Sequence, residues 1–216
     1  MYKNRNYWDE FYSTKNLNVE SSSFSQSEFI IGYSPEEYLV LELGCGEGAD
    51  SRYFASRGFE VIGVDGSEEA IAKNKEITHP NVSFKCVNLS EEEELVRLLV
   101  DVNDKLQKNN KKLLLYTRFF FHAITEQVEN LIIECLLKII KQDFDLISEF
   151  RTIEDYQLYK FHDNHYRRYI DTNIFVKKML ENHFSVYQLV KGQGLSVYHG
   201  EDPYLCRIKL KKEVQV

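Results

Sequence analysis

Several residue types and patterns are scarce in this chain of 216 residues, and each scarcity excludes some classes of protein. Only three prolines occur, and no Pro/Gly-rich stretch divides the chain, so we expect one domain. No apolar run approaches the ~18–20 residues that a membrane-spanning helix needs. The first residues, MYKNRNYWDEFYS, lack the apolar core of a signal peptide, and we therefore expect a cytoplasmic protein.

Cysteine and positive charge are also limited. The four cysteines are scattered without a CxxC pair, which favours free buried thiols and predicts no metal site. Lys and Arg number 27 against 34 Asp and Glu, giving a formal net charge of −7. Because nucleic-acid-binding proteins usually carry a basic stripe, we expect no nucleic-acid partner.

What the chain does contain is an alternation of strand and helix patterns. Five apolar segments predict strands, in the order YLVLELG, FEVIGVDGS, VSFKCVNL, KKLLLYT and FDLISEF. Two closing segments, SVYQLVKG and YLCRIKLK, predict a hairpin, and Ser34, Ser67 and Ser90 are predicted helix caps. The fold class is therefore α/β, with a mostly parallel seven-stranded sheet, helices on both faces and a C-terminal antiparallel hairpin.

A glycine-rich loop, LELGCGEGAD, follows the first strand and opens a helix. Gly44, Gly46 and Gly48 permit a tight turn and close approach to a ligand, and the helix N-terminus favours an anionic group. Asp65 ends the second strand, where an acid can hold ribose hydroxyls. The loop also satisfies the dinucleotide pattern G-x-G-x-x-G/A, which leaves an NAD-dependent oxidoreductase open. Glu42, however, suits the ammonium of an amino acid better than a pyrophosphate.

From LELGCGEG through VIGVDGS to the closing hairpin, the chain resembles the class I S-adenosylmethionine (SAM) methyltransferases, with their Rossmann-like fold. The resemblance implies that the glycine loop holds the methionine part of SAM and that Asp65 binds the ribose. Asn88 and Leu89 would flank the adenine, although that family more often has Asp at the position of Asn88. The implied cofactor-binding residues are Tyr7, Phe24, Glu42, Gly44, Cys45, Gly46, Gly48, Asp65, Gly66, Ser67, Asn88, Leu89, Tyr116 and Thr117.

Arginines and histidines follow the fourth and fifth strands, at the edge where open α/β sheets bind ligands. Arginine binds phosphate or carboxylate in bidentate fashion, and histidine has the pKa of a general base. We expect Arg118, His122 and Glu149 to be catalytic, although His122 is alternatively a structural residue bonded to the backbone. The predicted acceptor-binding residues are Arg118, His122, Arg151, His165, Tyr166, Arg167 and Arg168, with His162 in the same loop.

The segments YxRFFxHAI, EFRTxED and HYRRYI, behind YWDEFY, are similar to bacterial methyltransferases of capsule and O-antigen synthesis. The family's Pro-Ser-x-Phe-Ala segment is here SSSFSQ, which keeps Ser23 and Phe24 only. The similarity implies O-methylation of a phosphate- or phosphoramidate-bearing small molecule or glycan precursor. N-methylation of an amine, held by Glu149 and Asp155, and a SAM-binding regulatory module without turnover stay open. Residues 1–33 are expected to form an aromatic cap or lid, and residues 34–216 the methyltransferase domain.

Overall fold

The computed structural model of this protein describes residues 2–14, 20–77, 79–161 and 165–213. The strands are β1 (Tyr38–Leu43), β2 (Glu60–Asp65), β3 (Val82–Cys86), β4 (Lys112–Arg118), β5 (Phe144–Arg151), β6 (Phe184–Gly192) and β7 (Leu205–Lys212). The helices are α1 (Tyr2–Ser13), α2 (Ala49–Ser56), α3 (Glu68–Glu76), α4 (Glu92–Asn109), α5 (Glu126–Ile139) and α6 (Thr172–Glu181). Short 3-10 helices lie at Glu28–Ile30, Phe121–Ala123 and Ile153–Asp155.

The seven strands form one sheet in the order β3-β2-β1-β4-β5-β7-β6. Strands β1 to β5 pair in parallel, while β7 is antiparallel to both β5 and β6. The predicted fold class and its C-terminal hairpin are confirmed. The strand order reverses between β1 and β4, and ligands of open α/β sheets bind outside the carboxyl ends of the strands at such a point.

Both faces of the sheet are covered, because side chains of a strand alternate between faces. Leu39 and Leu41 enter a core cluster with residues of α4, α5 and α6. Val40 faces the opposite cluster, which includes Phe54 of α2 and also Phe24. Phe29, Ile30 and Tyr33 are buried in that same cluster, so part of the predicted cap segment packs in the core. The boundary at residue 33 stays a prediction.

One of the three predicted serine caps is confirmed. The Ser67 hydroxyl accepts the Ala70 N–H at 3.2 Å at the start of α3. Ser34 is wrong as a helix cap, since residues 35–37 form a turn that leads directly into β1. Ser90 is also wrong, because α4 begins at Glu92 and the Ser90 hydroxyl donates to Asn88 Oδ1 at 2.7 Å.

All four cysteines are free thiols, as predicted. Cys45, Cys135 and Cys206 are buried, but the prediction of burial is wrong for Cys86. Cys86 is exposed because it ends β3, an edge strand that has a neighbouring strand, β2, on one side only. Within the described ranges, no helix combines the length and the apolar character required to cross a membrane.

Candidate active site

The glycine loop turns sharply between β1 and α2. Gly44, Gly46 and Gly48 have φ angles of 73°, 47° and 68°, which lie in the left-handed region that glycine tolerates best. The N–H groups of Gly44 and Cys45 each donate to the Val64 carbonyl at 2.9 Å. These hydrogen bonds hold the loop against β2. Cys45 lies within the loop, and burial raises the pKa of its thiol well above its usual range.

Asp65 lies at the end of β2, directly against this loop. Its Oδ2 accepts the Gly46 N–H at 2.9 Å, and its Oδ1 accepts the Ser67 N–H at 2.9 Å. Burial raises the pKa of Asp65, while the backbone N–H groups, including that of Gly66, oppose the rise. The Val87 N–H donates to the Asp65 carbonyl at 2.9 Å, which brings the segment containing Asn88 and Leu89 beside this acid.

Tyr12, one of the aromatic residues of the predicted cap, lies over the glycine loop. A Cβ at Gly46 would collide with the Tyr12 hydroxyl, so the helix α1 contacts the loop directly. Lys73 of α3 donates to the Tyr12 carbonyl, and the Ser67 hydroxyl donates to Asp9 Oδ1 at 2.6 Å. Burial and the nearby Asp65 raise the pKa of Tyr12 well above its usual range. The end of α1 therefore covers the glycine loop and the start of α3.

Buried carboxyl groups stand behind the loop. Glu42 is 4% exposed and accepts a hydrogen bond from the Ser51 hydroxyl. Burial and the neighbouring Asp50 raise the pKa of Glu42 well above its usual range. Asp50, which the sequence did not single out, accepts from the Ser22 and Ser25 hydroxyls at 2.7 and 2.8 Å. Asp50 thereby fixes the segment 22–25 against α2.

Three predicted cofactor contacts are core residues. Tyr116, Phe24 and Thr117 have no solvent exposure. The Tyr116 hydroxyl donates to Asp50 Oδ2 at 2.8 Å, and its ring stacks on Phe24 with centroids 5.3 Å apart. The Thr117 hydroxyl donates to Ser148 Oγ at 2.8 Å. Their contact with a cofactor stays a prediction.

Arg118 reaches the edge from the end of β4. Its Nε donates to Glu149 Oε1 at 3.1 Å, and 31% of the side chain is exposed. Neither terminal nitrogen has a hydrogen-bond partner among the described residues. Burial opposes the charge, but Glu149 and Asp50 outweigh it and raise the pKa of Arg118. The guanidinium is therefore charged, and it belongs to a side chain that is partly exposed.

Glu149 is fully buried at the centre of a hydrogen-bond network. Besides Arg118, it binds Arg207 Nε at 2.6 Å through Oε2, and the Ser196 hydroxyl lies 3.1 Å from both oxygens. Arg207 also donates to Ser23 Oγ at 2.9 Å. A carboxylate offers about four acceptor positions, and these three donors occupy most of them. Glu149 as placed holds arginines, and its catalytic role stays a prediction.

Phe119, which the sequence also missed, lies between two arginines in a left-handed conformation. Its φ is 54°, an uncommon value for a bulky residue, and its N–H donates to the Glu149 carbonyl at 2.9 Å. The ring centroid lies 4.4 Å from the Arg118 guanidinium and 5.6 Å from that of Arg151. Nothing local in the sequence indicates the turned-back backbone that places this ring.

His122 is 4% exposed and bonded through both its ring and its backbone. Nδ1 accepts the Arg151 N–H at 3.2 Å, and the His122 carbonyl accepts the Arg168 N–H at 2.7 Å. Burial, followed by the charge of Arg151, lowers the pKa of His122 well below its usual range. The ring is therefore neutral, with its proton on Nε2, and it is bonded to a backbone N–H rather than to a backbone carbonyl. The catalytic role of His122 stays a prediction.

The other predicted acceptor-binding cations are engaged inside the fold. Arg151 binds Asp155 at 2.7 Å and also Glu201, and both of those carboxylates are buried. Arg168 binds Glu129 of α5. These two arginines hold loops together, so the structure does not gather them with Arg118 as open cations.

The predicted loop before α6 meets the aromatic face of α1. The His165 ring stacks on Tyr7 with centroids 5.1 Å apart and lies 5.2 Å from Trp8. Arg167 Nη2 lies 3.2 Å from His165 Nε2, and Tyr166 is exposed. His162 lies outside the described residues. The structure thus links α1 to the acceptor-side loop through ring contacts.

Comparisons with known proteins agree with this architecture. Residues 40–135, somewhat less than half of the chain, match the family model described as "Methyltransferase domain". Among curated proteins, none has a sequence that matches this chain. The chain is similar to a solved SAM-dependent methyltransferase from Anabaena variabilis ATCC 29413, at 17% identity and a TM-score of 0.72, covering 97% of this chain and 93% of that one.

Two further solved structures have the same fold. The magnesium protoporphyrin IX methyltransferase of Synechocystis PCC 6803 with bound SAM is 13% identical, with a TM-score of 0.62, and 97% of this chain and 95% of that chain are covered. A glycopeptide N-methyltransferase complexed with S-adenosyl-L-homocysteine is 12% identical, with a TM-score of 0.63, and coverage is 92% and 93%. At these identities the likenesses show the fold, which is the Rossmann-like methyltransferase fold.

Proposed function

Because residues 40–135 match a model of the methyltransferase domain, we propose that the chain transfers a methyl group from SAM to an oxygen of an anionic acceptor. The acceptor is a phosphate- or phosphoramidate-bearing small molecule or a glycan precursor for capsular or other surface polysaccharide. The observation that carries this proposal is the partly exposed Arg118 side chain, whose terminal nitrogens have no partner among the described residues.

The residues at the edge fit the cofactor that this reaction uses. SAM supplies an electrophilic methyl group on a positively charged sulfur. Asp65 is fixed by two backbone N–H groups and keeps lone pairs for ribose hydroxyls. The absence of a side chain at Gly46 lets Tyr12 pack closely against the loop. Glu42 and Asp50 place buried carboxyl groups behind the loop, and Glu42 suits the ammonium of the methionine part.

Arg118 suits an anionic acceptor because a guanidinium binds an oxyanion through two parallel hydrogen bonds. The acceptor oxygen forms its new bond to the methyl carbon while the carbon–sulfur bond breaks and its electron pair stays on sulfur. An oxyanion already carries the attacking lone pair, so no proton has to be removed. His122, with Nδ1 engaged and the ring buried, is then needed only to hold the loops around Arg151.

The carboxylates that an amine acceptor would use are engaged in the structure. Glu149 binds Arg118 and Arg207, as described above. Asp155 is buried, binds Arg151 at 2.7 Å and accepts the Tyr204 N–H at 2.8 Å. Neither side chain is exposed to an incoming ammonium, which supports O-methylation over N-methylation.

Formation of S-adenosyl-L-homocysteine by the purified protein tests the proposal. Each sugar or amino-acid derivative is offered with and without its phosphate or phosphoramidate group, beside matched amines. We expect turnover with the anionic member of each pair only. Equal turnover of neutral members or amines would contradict an anionic acceptor. SAM binding without turnover of any acceptor would instead favour a regulatory module.

A further inference from the structure

Two loops meet at the same sheet edge as Arg118. The loop of residues 193–204 joins β6 to β7, and its end at Leu205 pairs with Arg151 at the carboxyl end of β5. The Thr152 N–H donates to the Tyr204 carbonyl at 3.1 Å, which joins this loop to the segment that follows β5. Both loops therefore border the acceptor side of the candidate active site.

Exposed aromatic residues are concentrated in these loops. Phe161 is 43% exposed and Tyr198 is 53% exposed, and His199 is exposed as well. The Phe161 and His199 rings stack with centroids 4.9 Å apart, and the Tyr198 ring stands perpendicular to His199 at 4.2 Å. Phe161 and Tyr198 are also perpendicular, at 5.8 Å. We call these three residues the ring cluster. Contiguous exposed apolar surface beside a site marks a contact surface.

Hydrogen bonds of the two loops fix the backbone of the ring cluster. Tyr198 and Glu201 exchange two backbone hydrogen bonds at 2.9 Å around His199 and Gly200, whose φ angles of 47° and 79° form a two-residue hairpin turn. Glu201 is 5% exposed, binds Arg151, and accepts the Phe161 N–H at 2.8 Å. One buried carboxylate thus fixes both parts of the cluster.

The same contacts connect the ring cluster to Arg118. The Arg151 guanidinium, which binds Glu201, lies 5.6 Å from the Phe119 ring centroid. The Arg118 guanidinium lies 4.4 Å from that same centroid. A chain of contacts through Phe119, the buried Arg151 and the buried Glu201 therefore joins Arg118 to the exposed rings.

We propose that the ring cluster of Phe161, Tyr198 and His199 is an outer acceptor subsite that binds a sugar ring, while the anionic group of the same molecule lies at Arg118. This inference rests on the proposed function, and it makes the acceptor a sugar derivative with its ring outside the reacting group. A pyranose has an apolar C–H face that the electron-rich face of an aromatic ring attracts. Its hydroxyls lie along the rim, within reach of a tyrosine hydroxyl at an exposed surface.

The arrangement of the rings favours a sugar over a nucleobase. A flat base stacks best in a slot between parallel rings, but Phe161 and His199 already face each other at 4.9 Å. Tyr198, perpendicular to both, makes a corner with them. A corner accommodates the thick, puckered ring of a pyranose, whose faces and edge are contacted at once.

Ligand-observed NMR on the full chain tests the subsite without turnover. The probes are the 6-phosphates of glucose, galactose, mannose and glucosamine, the ringless glycerol 3-phosphate, the neutral methyl glucoside, and uridine. We expect Tyr198→Ala and Phe161→Ala to weaken the best hexose phosphate roughly threefold to tenfold and to leave glycerol 3-phosphate unchanged. Tyr198→Phe retains most of the affinity. Tyr187→Ala, which removes an exposed tyrosine of β6 outside the two loops, is the matched control.

The probes separate the two proposals. If glycerol 3-phosphate binding is lost in Arg118→Gln and in no other variant, the anion site is supported, whether or not the ring-cluster variants bind hexose phosphates more weakly. Saturation of methyl glucoside protons that disappears in Tyr198→Ala supports the ring cluster, even where phosphates do not bind. Equal affinity for hexose phosphates and glycerol 3-phosphate would overturn the subsite, and so would stronger ring-dependent binding of uridine than of every hexose.

Discussion

The buried Glu149 carboxylate binds the Nε atoms of Arg118 and Arg207 at 3.1 and 2.6 Å. One carboxylate thus contacts two guanidinium groups directly. These three side chains together carry one net positive charge. The Nη2 atom of Arg207 donates to Ser23 Oγ and to the Leu195 carbonyl, inside the fold. Arg118 therefore carries the charge that an acceptor anion can neutralise.

Glu149→Gln tests whether this carboxylate is structural. The substitution leaves two guanidinium groups beside a neutral amide, and breaking a buried pair costs about 3–5 kcal/mol. We expect the free energy of unfolding in urea to fall by that amount. Glu154→Gln, which removes an ion pair with Lys191 at a 38% exposed side chain, is the control and costs less than about 1 kcal/mol. A Glu149→Gln protein of normal stability that has lost turnover would point to direct catalysis.

Arg118→Gln removes the proposed anion ligand. A hydrogen bond to a charged group contributes about 1.5–3 kcal/mol, so we expect the KM for the anionic acceptor to rise roughly tenfold to hundredfold. The Kd for SAM, measured by calorimetry, stays near the wild-type value because Arg118 lies on the acceptor side. Arg97→Gln, at a 73% exposed side chain of α4, is the matched control. An unchanged acceptor KM in Arg118→Gln contradicts the anion site.

Phe119→Leu tests whether the ring positions Arg118. Leucine keeps an apolar side chain but removes the cation–π contact at 4.4 Å, which is worth about 0.5–1 kcal/mol at a partly exposed site. We expect the acceptor KM to rise roughly twofold to fivefold with little change in kcat, and Phe119→Tyr to restore it. A purely structural ring would lower the Tm of Phe119→Leu and leave KM unchanged.

Asp65→Asn tests the proposed ribose contact. The amide loses the charge and one acceptor oxygen, and we expect the Kd for SAM to rise about tenfold or more. Since the pKa of Asp65 is raised by burial, the carboxyl takes up its proton at a higher pH than an ordinary aspartate. Affinity of the wild type should therefore weaken on acidification, while Asp65→Asn lacks that component. Asp101→Asn, at an exposed surface ion pair, is the control. Equal SAM affinity in Asp65→Asn and Asp101→Asn would contradict the assignment.

The sequence predicts well what depends on local geometry. The glycine loop and Asp65 were predictable because a strand that ends in a tight turn needs glycines, and neighbouring parallel strands end at one edge. The same reasoning placed Arg118 at that edge. Ser34 and Ser90 failed as caps because the chain that follows them is drawn into β1 and toward Asn88 by longer-range contacts.

The sequence does not show which charged side chains neutralise one another. Arg151 and Glu201 are 50 residues apart, Arg168 and Glu129 are 39 apart, and Arg207 and Glu149 are 58 apart. These pairings depend on how the loops fold over the edge of the sheet. As a result, Arg151, Arg168 and Arg207 are paired with buried carboxylates, and Arg118 keeps unpaired terminal nitrogens among the described residues. The backbone turn at Phe119 was hidden for the same reason.

His122→Asn separates a structural histidine from a general base. The asparagine Oδ1 can accept the Arg151 N–H in place of Nδ1. The folded-state pKa of His122 lies well below the unfolded value of about 6.5, so below that pH the unfolded chain binds a proton that the folded chain does not. Wild-type stability should therefore fall as pH drops from about 6.5, by up to about 1.4 kcal/mol per pH unit from this group.

In His122→Asn that acid-dependent loss disappears, so the two curves of unfolding free energy against pH approach each other as the pH falls. Chemical denaturation at several pH values between 5 and 8 measures both curves. Because an oxyanion acceptor needs no base, kcat of the variant should change far less than the roughly hundredfold loss expected when a general base is removed. Loss of that size in a variant with wild-type stability at pH 8 would assign the base role to His122 and point to a neutral hydroxyl acceptor.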